Sequence, residues 1–201
     1  MNDVKFNKIV IFINSLVPLF LLAWDGLRGN LGANPIEFFI RTTGVLTLVF
    51  LLVSLLVTPL RKYTGWNNLI KFRRMLGLYA FFYGALHFIT YVGFDRSLSF
   101  TGTIADIVQR PFIAVGMIAF FLLIPLAATS TNKMIKRLGG KNWARLHKLT
   151  YVVAILGVIH FYMIVKSDAT YPIFFALILG ALLAYRINSA QEKPKKKLAV
   201  G

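Results

Sequence analysis

Residues 38–60 read FFIRTTGVLTLVFLLVSLLVTPL, an apolar run from Phe38 to Leu60 broken by a single charge, Arg41, near its start. A helix needs roughly 17–25 mostly apolar residues to cross a hydrocarbon core about 30 Å thick. Inside that core each backbone N–H and C=O must find its partner within the helix. The run meets both demands, with entry into hydrocarbon expected at Thr43 or Gly44, just past Arg41. Five more runs have the same character: Ile9–Trp24, Met75–Phe94, Pro111–Thr129, Leu149–Val165 and Tyr171–Tyr185. The first and last are short, and flanking residues are expected to extend them. The first has no small-residue cleavage site and ends in Trp24-Asp25, so it reads as a retained span and not a leader. The expected fold class is therefore all-α: a polytopic membrane bundle of six transmembrane helices over residues 1–190, followed by a basic tail over 191–201.

Composition agrees. The chain is 57% hydrophobic and 15% charged, with a mean hydropathy of +0.68. A soluble domain carries about 45–50% apolar and about 25% charged residues, so an ordinary soluble enzyme is excluded. Cysteine is absent, which removes disulfides, thiolate metal sites, iron–sulfur clusters and covalent c-type haem attachment together. With 201 residues mostly committed to spans, no separate nucleotide-binding domain is expected.

The chain is strongly basic, with 23 Lys+Arg against 7 Asp+Glu and a formal charge of +16. With the N-terminus placed in the cytoplasm, the inner segments hold Lys5, Lys8, Arg61, Lys62, Lys71, Arg73, Arg74, Lys133, Lys136, Arg137, Lys141, Arg145, Lys148, Arg186, Lys193 and Lys195–Lys197. The outer segments hold Arg28, Arg41, Arg96, Arg110 and Lys166. Asp3 and Glu192 fall inside, whereas Asp25, Glu37, Asp95, Asp106 and Asp168 fall outside. The whole net charge thus sits on one face, the signature of the positive-inside rule, and both termini are expected to be cytoplasmic. Topology and anionic membrane lipid account for the basic balance. No nucleic-acid partner is expected.

An ionisable residue within a span is costly and marks a functional site. The chain has three histidines: His87 in the third span, His147 at the start of the fifth and His160 within the fifth. His87 lies thirteen residues past Arg74, and His160 twelve past Lys148. At 1.5 Å per helical residue they sit about 20 Å and about 18 Å from the inner basic edge. Two imidazoles at matched depth on neighbouring spans are what a bis-histidine haem requires, with the macrocycle replacing side chains in the bundle core. A hydrogen-bonded polar pair, a proton relay or a bare metal site are the competing readings. Gly84, Ala144 and Gly157 each stand three positions before a histidine, on the same helix face. Gly84 and Gly157 are candidate haem-facing residues, with close helix packing as the alternative.

His147 lies near the inner edge, level with Arg73 and Arg74. Thirteen residues at 100° leave it about 220° away from His160 on an ideal helix. Either the helix is irregular near its inner end, or His147 has a different role.

Local sequences identify a family. Arg73-Arg74-Met75-Leu76-Gly77-Leu78 leads to His87, and the second span ends Thr58-Pro59-Leu60-Arg61. The block Trp143-Ala144-Arg145-Leu146-His147-Lys148-Leu149-Thr150-Tyr151 is followed by His160. These features resemble the ferric-reductase-like transmembrane family, relatives of the NADPH oxidases and metalloreductases. Within it the chain is similar to the haem-binding membrane subunits of periplasmic methionine sulfoxide reductase systems, and the resemblance spans all six runs. It implies haem b and FMN as cofactors, with His87, His147 and His160 matching the family's histidines as candidate axial ligands. It implies electrons arriving from the quinone pool or a cytosolic flavin reductase. Their recipient is a periplasmic molybdopterin enzyme on which sulfoxide reduction takes place, so no catalytic residue is assigned here. The implied location is the bacterial inner membrane. No residues are assigned to FMN.

Two bis-histidine haems need four histidines, and this chain has three. Arg73, fourteen residues before His87, shares its helix face. A guanidinium stays protonated and is a poor iron ligand. Arg73, Arg74 and Arg145 are therefore read as candidates for binding a haem propionate or a phosphate. Two other function classes compete: a histidine-based proton or ion transporter, and a purely structural membrane anchor. A proton relay needs a polar path through the bilayer, yet none of the seven carboxylates falls deep in a span. An anchor needs no buried histidines at matched depth.

Overall fold

Helical signals in the sequence become nine α-helices in the computed structural model, which describes residues 4–165 and 167–198, the side chains of 192–198 excepted. Asp3, Lys166, Glu192 and the tail lysines, all used in the charge reading above, lie outside the described side chains. Helix α1 spans Val4–Leu27 and α2 Pro35–Thr64. Asn34 caps α2 by accepting from the Glu37 N–H at 3.1 Å, Pro35 supplies a helical φ at its first position, and Gly65 in the left-handed region (φ 73°) ends it. Helix α3, Arg73–Thr90, runs on into a π-helical turn, Tyr91–Asp95. Then come α4 (Phe100–Gln109), α5 (Pro111–Ala128), α6 (Asn132–Leu138), α7 (Gly140–Leu146), α8 (Leu149–Ile164) and α9 (Thr170–Leu198).

Among the described residues six segments are long and apolar enough to cross a membrane: Val4–Leu27, Pro35–Thr64, Arg73–Asp95, Pro111–Ala128, Gly140–Ile164 and Thr170–Gln191. They coincide with the six runs read from sequence, and the two short runs are extended as expected. The chain is a multi-pass, all-helical membrane protein.

Packing follows the apolar faces. Helix α3 lies along α2, α8 lies along α5, and α9 closes against α2 and α8. Leu48, Leu52 and Leu55 of α2 interlock with Ala154 and Val158 of α8 and with Leu179 and Leu182 of α9. A second cluster joins Leu51, Ala80, Ala119, Leu123, Leu126 and Val153 across α2, α3, α5 and α8. Helix α1 is tied to α3 by two tyrosines: Tyr79 donates to the Phe12 carbonyl at 2.8 Å, and the fully buried Tyr83 to the Ser15 carbonyl at 2.6 Å. Such bonds satisfy hydroxyls that have no water to turn to. Outward-facing Phe20, Phe121, Phe174 and Leu177 leave an apolar surface suited to lipid.

The ends of the bundle differ in charge. The connections α2–α3 and α5–α8 carry Arg61, Lys62, Lys71, Arg74, Lys133, Lys136, Arg137, Lys141, Arg145 and Lys148, and no carboxylate among the described side chains; this is called the basic end. At the opposite end ion pairs form. Arg41 meets Glu37 at 2.6 Å, and the buried Asp106 of α4 is gripped by Arg96, by Arg110 at 3.5 Å, and by the Tyr91 hydroxyl at 2.7 Å.

Candidate functional site

The two mid-span histidines come together. His87 on α3 and His160 on α8 have ring centroids 6.1 Å apart with planes at 89°. Each is held in the same manner by the helix beside its own. His87 Nδ1 bonds the Ile40 carbonyl of α2 at 2.8 Å, and His160 Nδ1 bonds the Phe112 carbonyl of α5 at 2.6 Å. A carbonyl only accepts, so both Nδ1 atoms carry the proton and both Nε2 atoms keep a free lone pair. Metal-binding histidines usually donate their second ring nitrogen to a carbonyl or carboxylate in this way.

The spacing suits a shared metal. Two metal–imidazole bonds of about 2 Å, plus about 1 Å from each nitrogen to its ring centre, put the centroids about 6 Å apart. Among the described residues no group of three or more His, Cys, Asp or Glu side chains could hold a bare ion. Two axial nitrogens without further protein ligands fit an iron whose other four positions are filled by a macrocycle. The residues present therefore fit haem.

Two glycines make these contacts possible, and neither stood out in the sequence reading. A Cβ on Gly44 would lie 3.0 Å from His87 Nδ1, and one on Gly116 would lie 2.7 Å from His160 Cε1. Around Gly84 and Gly157 the nearest neighbours are apolar and threonine side chains. Gly84 faces Thr47, Leu123 and Phe120, and Gly157 faces the Leu48 side chain.

The third histidine lies at the basic end. The chain leaves the α-helical path at His147 and Lys148, where Lys148 N–H bonds Arg145 C=O and Thr150 N–H bonds His147 C=O over three residues. Of the two alternatives, then, the helix is irregular at its basic end. The His147 ring stacks on Trp143 with centroids 3.9 Å apart, and its Nε2 lies 3.1 Å from Thr129 Oγ1. Trp143 Nε1 donates to the Thr129 carbonyl at 2.9 Å. Trp143 and His147 wall a cavity of about 250 Å³, whose lining includes Ser54, Arg73, Arg74, Ser130 and Thr150 over an apolar floor of Leu51, Leu123 and Leu126. Arg74 Nη1 donates to Asn132 Oδ1 at 2.6 Å, and Arg186 Nη2 donates to the Leu55 carbonyl at 3.2 Å. Arg73, Arg74 and His147 share this cavity, whereas Arg145, Lys148 and Ala144 are exposed on the connection beside it. A cationic cavity without a described carboxylate is chemically suited to an anion.

Comparison with known proteins agrees with this arrangement. Residues 43–158 match the family described as ferric reductase like transmembrane component, a stretch that includes His87 and His147 and ends just before His160. The chain is 50% identical over 195 residues to the protein-methionine-sulfoxide reductase heme-binding subunit MsrQ of Herminiimonas arsenicoxydans, covering 96% of this chain and 89% of that one. It is 49% identical over 189 residues to the MsrQ subunit of Rhodospirillum rubrum, covering 92% and 89%. Against that of Caulobacter vibrioides the identity is 44% over 187 residues, covering 93% and 89%. No solved structure matches. With near-full-length identity to these subunits, the chain belongs to the ferric reductase-like transmembrane family and, within it, to the MsrQ heme-binding subunits.

Proposed function

We propose that this chain is the haem b electron-transfer subunit of an MsrPQ-type system. It passes electrons across the bacterial inner membrane to a periplasmic, MsrP-like molybdopterin reductase, where oxidised methionine is repaired. The observation that carries the reading is the His87–His160 pair, 6.1 Å apart with both Nδ1 atoms tied to main-chain carbonyls. The relatives' description as heme-binding subunits of a protein-methionine-sulfoxide reductase supports it.

His87 and His160 would hold the haem iron through their Nε2 nitrogens, with the carbonyls of Ile40 and Phe112 setting the orientation and basicity of the rings. When bound, haem supplies one-electron chemistry at a potential its ligands and their surroundings tune. The electron donor, quinol or a cytosolic flavin reductase, approaches the basic end, which the positive-inside rule assigns to the cytoplasm together with both termini and the basic tail. There the cavity arginines, Arg73 and Arg74, bind a haem propionate or a phosphate, with the exposed Arg145 adding charge at its edge. His147 serves this inner site, as ligand or neighbour of a second group. FMN takes no residues in this assignment. The histidine pair lies toward the opposite end, so the segments around Asp25–Glu37 and Gly93–Arg110 form the docking face for the periplasmic partner.

The test is the optical spectrum of membranes containing the chain, before and after dithionite. A reduced b-type band that co-purifies with the polypeptide supports the assignment. A colourless purified protein overturns it in favour of a transporter or an anchor.

A further inference from the structure

We infer that Gly44 and Gly116 are positioning residues. Each opens one helix carbonyl to an imidazole, so that His87 and His160 are held with their planes perpendicular. The inference rests on the haem assignment above and goes beyond it by naming what orients the ligands.

The argument begins with helix geometry. A side chain on a helix leans toward the N-terminus and covers the turn before its own Cα. The residue four positions after a carbonyl therefore screens that carbonyl from the side. Here the accepting carbonyls are Ile40 and Phe112, and the residues four positions later are Gly44 and Gly116. In each case a helical bond uses one lone pair of the carbonyl and leaves the other to offer; at Ile40 the Thr43 hydroxyl also comes within 3.1 Å, but it donates over the shorter 2.7 Å to the Phe39 carbonyl, and the His87 ring approaches closer, at 2.8 Å. Without a Cβ at 44 or 116 that lone pair is reachable, and the imidazole occupies the space a side chain would fill.

The two latches are unequally tight. At Gly116 an added Cβ would meet His160 Cε1 at 2.7 Å, Nδ1 at 2.8 Å and Nε2 at 3.2 Å, so the ring must move off the Phe112 carbonyl. At Gly44 the same atom would meet His87 Nδ1 at 3.0 Å and Cε1 at 3.1 Å, which a shift of a few tenths of an ångström relieves. Losing the carbonyl bond also frees the ring to rotate about its own axis. It makes the imidazole a weaker base as well, since a hydrogen bond from the second ring nitrogen raises ligand basicity.

The experiment uses the full chain, purified with its haem, as wild type, Gly116→Ala, Gly44→Ala and Gly180→Ala. Gly180 has open space around its Cβ position and controls for the substitution itself. Three quantities are read: haem per polypeptide, the anisotropy of the ferric low-spin electron paramagnetic resonance signal, and the midpoint potential. Perpendicular axial imidazoles give a highly anisotropic signal and parallel ones a rhombic signal. Wild type and Gly180→Ala should show the anisotropic form. Gly116→Ala should lose most of its haem. Gly44→Ala should keep haem, lose part of the anisotropic signal and shift to a higher potential, because a less basic ligand stabilises ferric iron less. If Gly116→Ala does not accumulate in membranes, Gly44→Ala decides alone. Unchanged signal and potential in Gly44→Ala overturn the latch, as does an equal change in Gly180→Ala. Haem retained in His87→Ala/His160→Ala would instead overturn the ligand assignment, so the two failures are distinguishable.

Discussion

The two histidine-bearing levels of the bundle are built on opposite principles. At the His87–His160 level each imidazole is fixed by main-chain oxygen, with glycine against its ring. At the basic end His147 is fixed by side chains, Thr129 and Trp143, beside a cavity lined by Arg73 and Arg74. Main-chain anchoring is rigid and uncharged, which suits a neutral ligand nitrogen in a low-dielectric setting. Side-chain anchoring beside guanidinium groups is adaptable and suits a charged visitor near the membrane surface. The difference separates a place that holds a cofactor from a place that receives charge.

The hardest way to break that contrast is to remove the rigid level. His87→Ala/His160→Ala should abolish low-spin haem, and each single change should remove most of it, because one imidazole cannot hold six-coordinate iron. Haem per polypeptide is the measurement, and a normal low-spin spectrum in the double variant would contradict the ligand assignment.

At the charged level, Arg73→Lys and Arg74→Lys preserve charge and lose the bidentate fork. Insertion and orientation should be intact, yet at least one variant should slow haem reduction several-fold in membrane vesicles supplied with reduced quinone or flavin. Wild-type rates in both would reduce the arginines to a topological signal.

His147→Ala should have a milder effect. The His87–His160 haem should remain, with its reduction slowed or the spectrum altered in part. Complete loss of haem in this variant would show that the two levels are one site.

The smallest effect is expected at the far end, where Asp106 pins α4 to Arg96, Arg110 and Tyr91. Asp106→Asn keeps the shape and removes the charge. It should lower thermal stability by about 1–3 kcal/mol, as expected when buried donors lose a charged acceptor, while haem content stays unchanged. An unaltered melting temperature would place the network outside the stabilising core.

Much of this was legible in the chain itself. All six spans follow from apolar run length, because the bilayer sets that length and tolerates little else. The matched depth of His87 and His160 follows from counting residues to the basic edge, because helical rise is constant. What escaped was lateral. Gly84 and Gly157 share a face with their own histidines, and the glycines against the imidazole rings, Gly44 and Gly116, come from the neighbouring helices. A signal was present: Gly44 is the single glycine of the 38–60 run and Gly116 the single glycine of the 111–129 run. Nothing in either run says which histidine it faces. The offset of His147 left an irregular helix and a different role for the residue equally open, and only the structure shows the helix breaking there.

Sequence alone thus determined how many times the chain crosses, at what depth its histidines lie, and which end is basic. These depend on one helix at a time, on length, rise and charge. Only the tertiary structure decided which helices are neighbours: α2 beside α3, and α5 beside α8. It decided too that the Ile40 and Phe112 carbonyls meet the two imidazoles, and that Arg73, Arg74 and His147 share a cavity while Arg145 stays outside it. The physical reason is that helices in lipid are all apolar outward, so hydropathy carries no record of who packs against whom. That choice is made by small residues and van der Waals fit between particular faces, which exist only once the bundle has assembled.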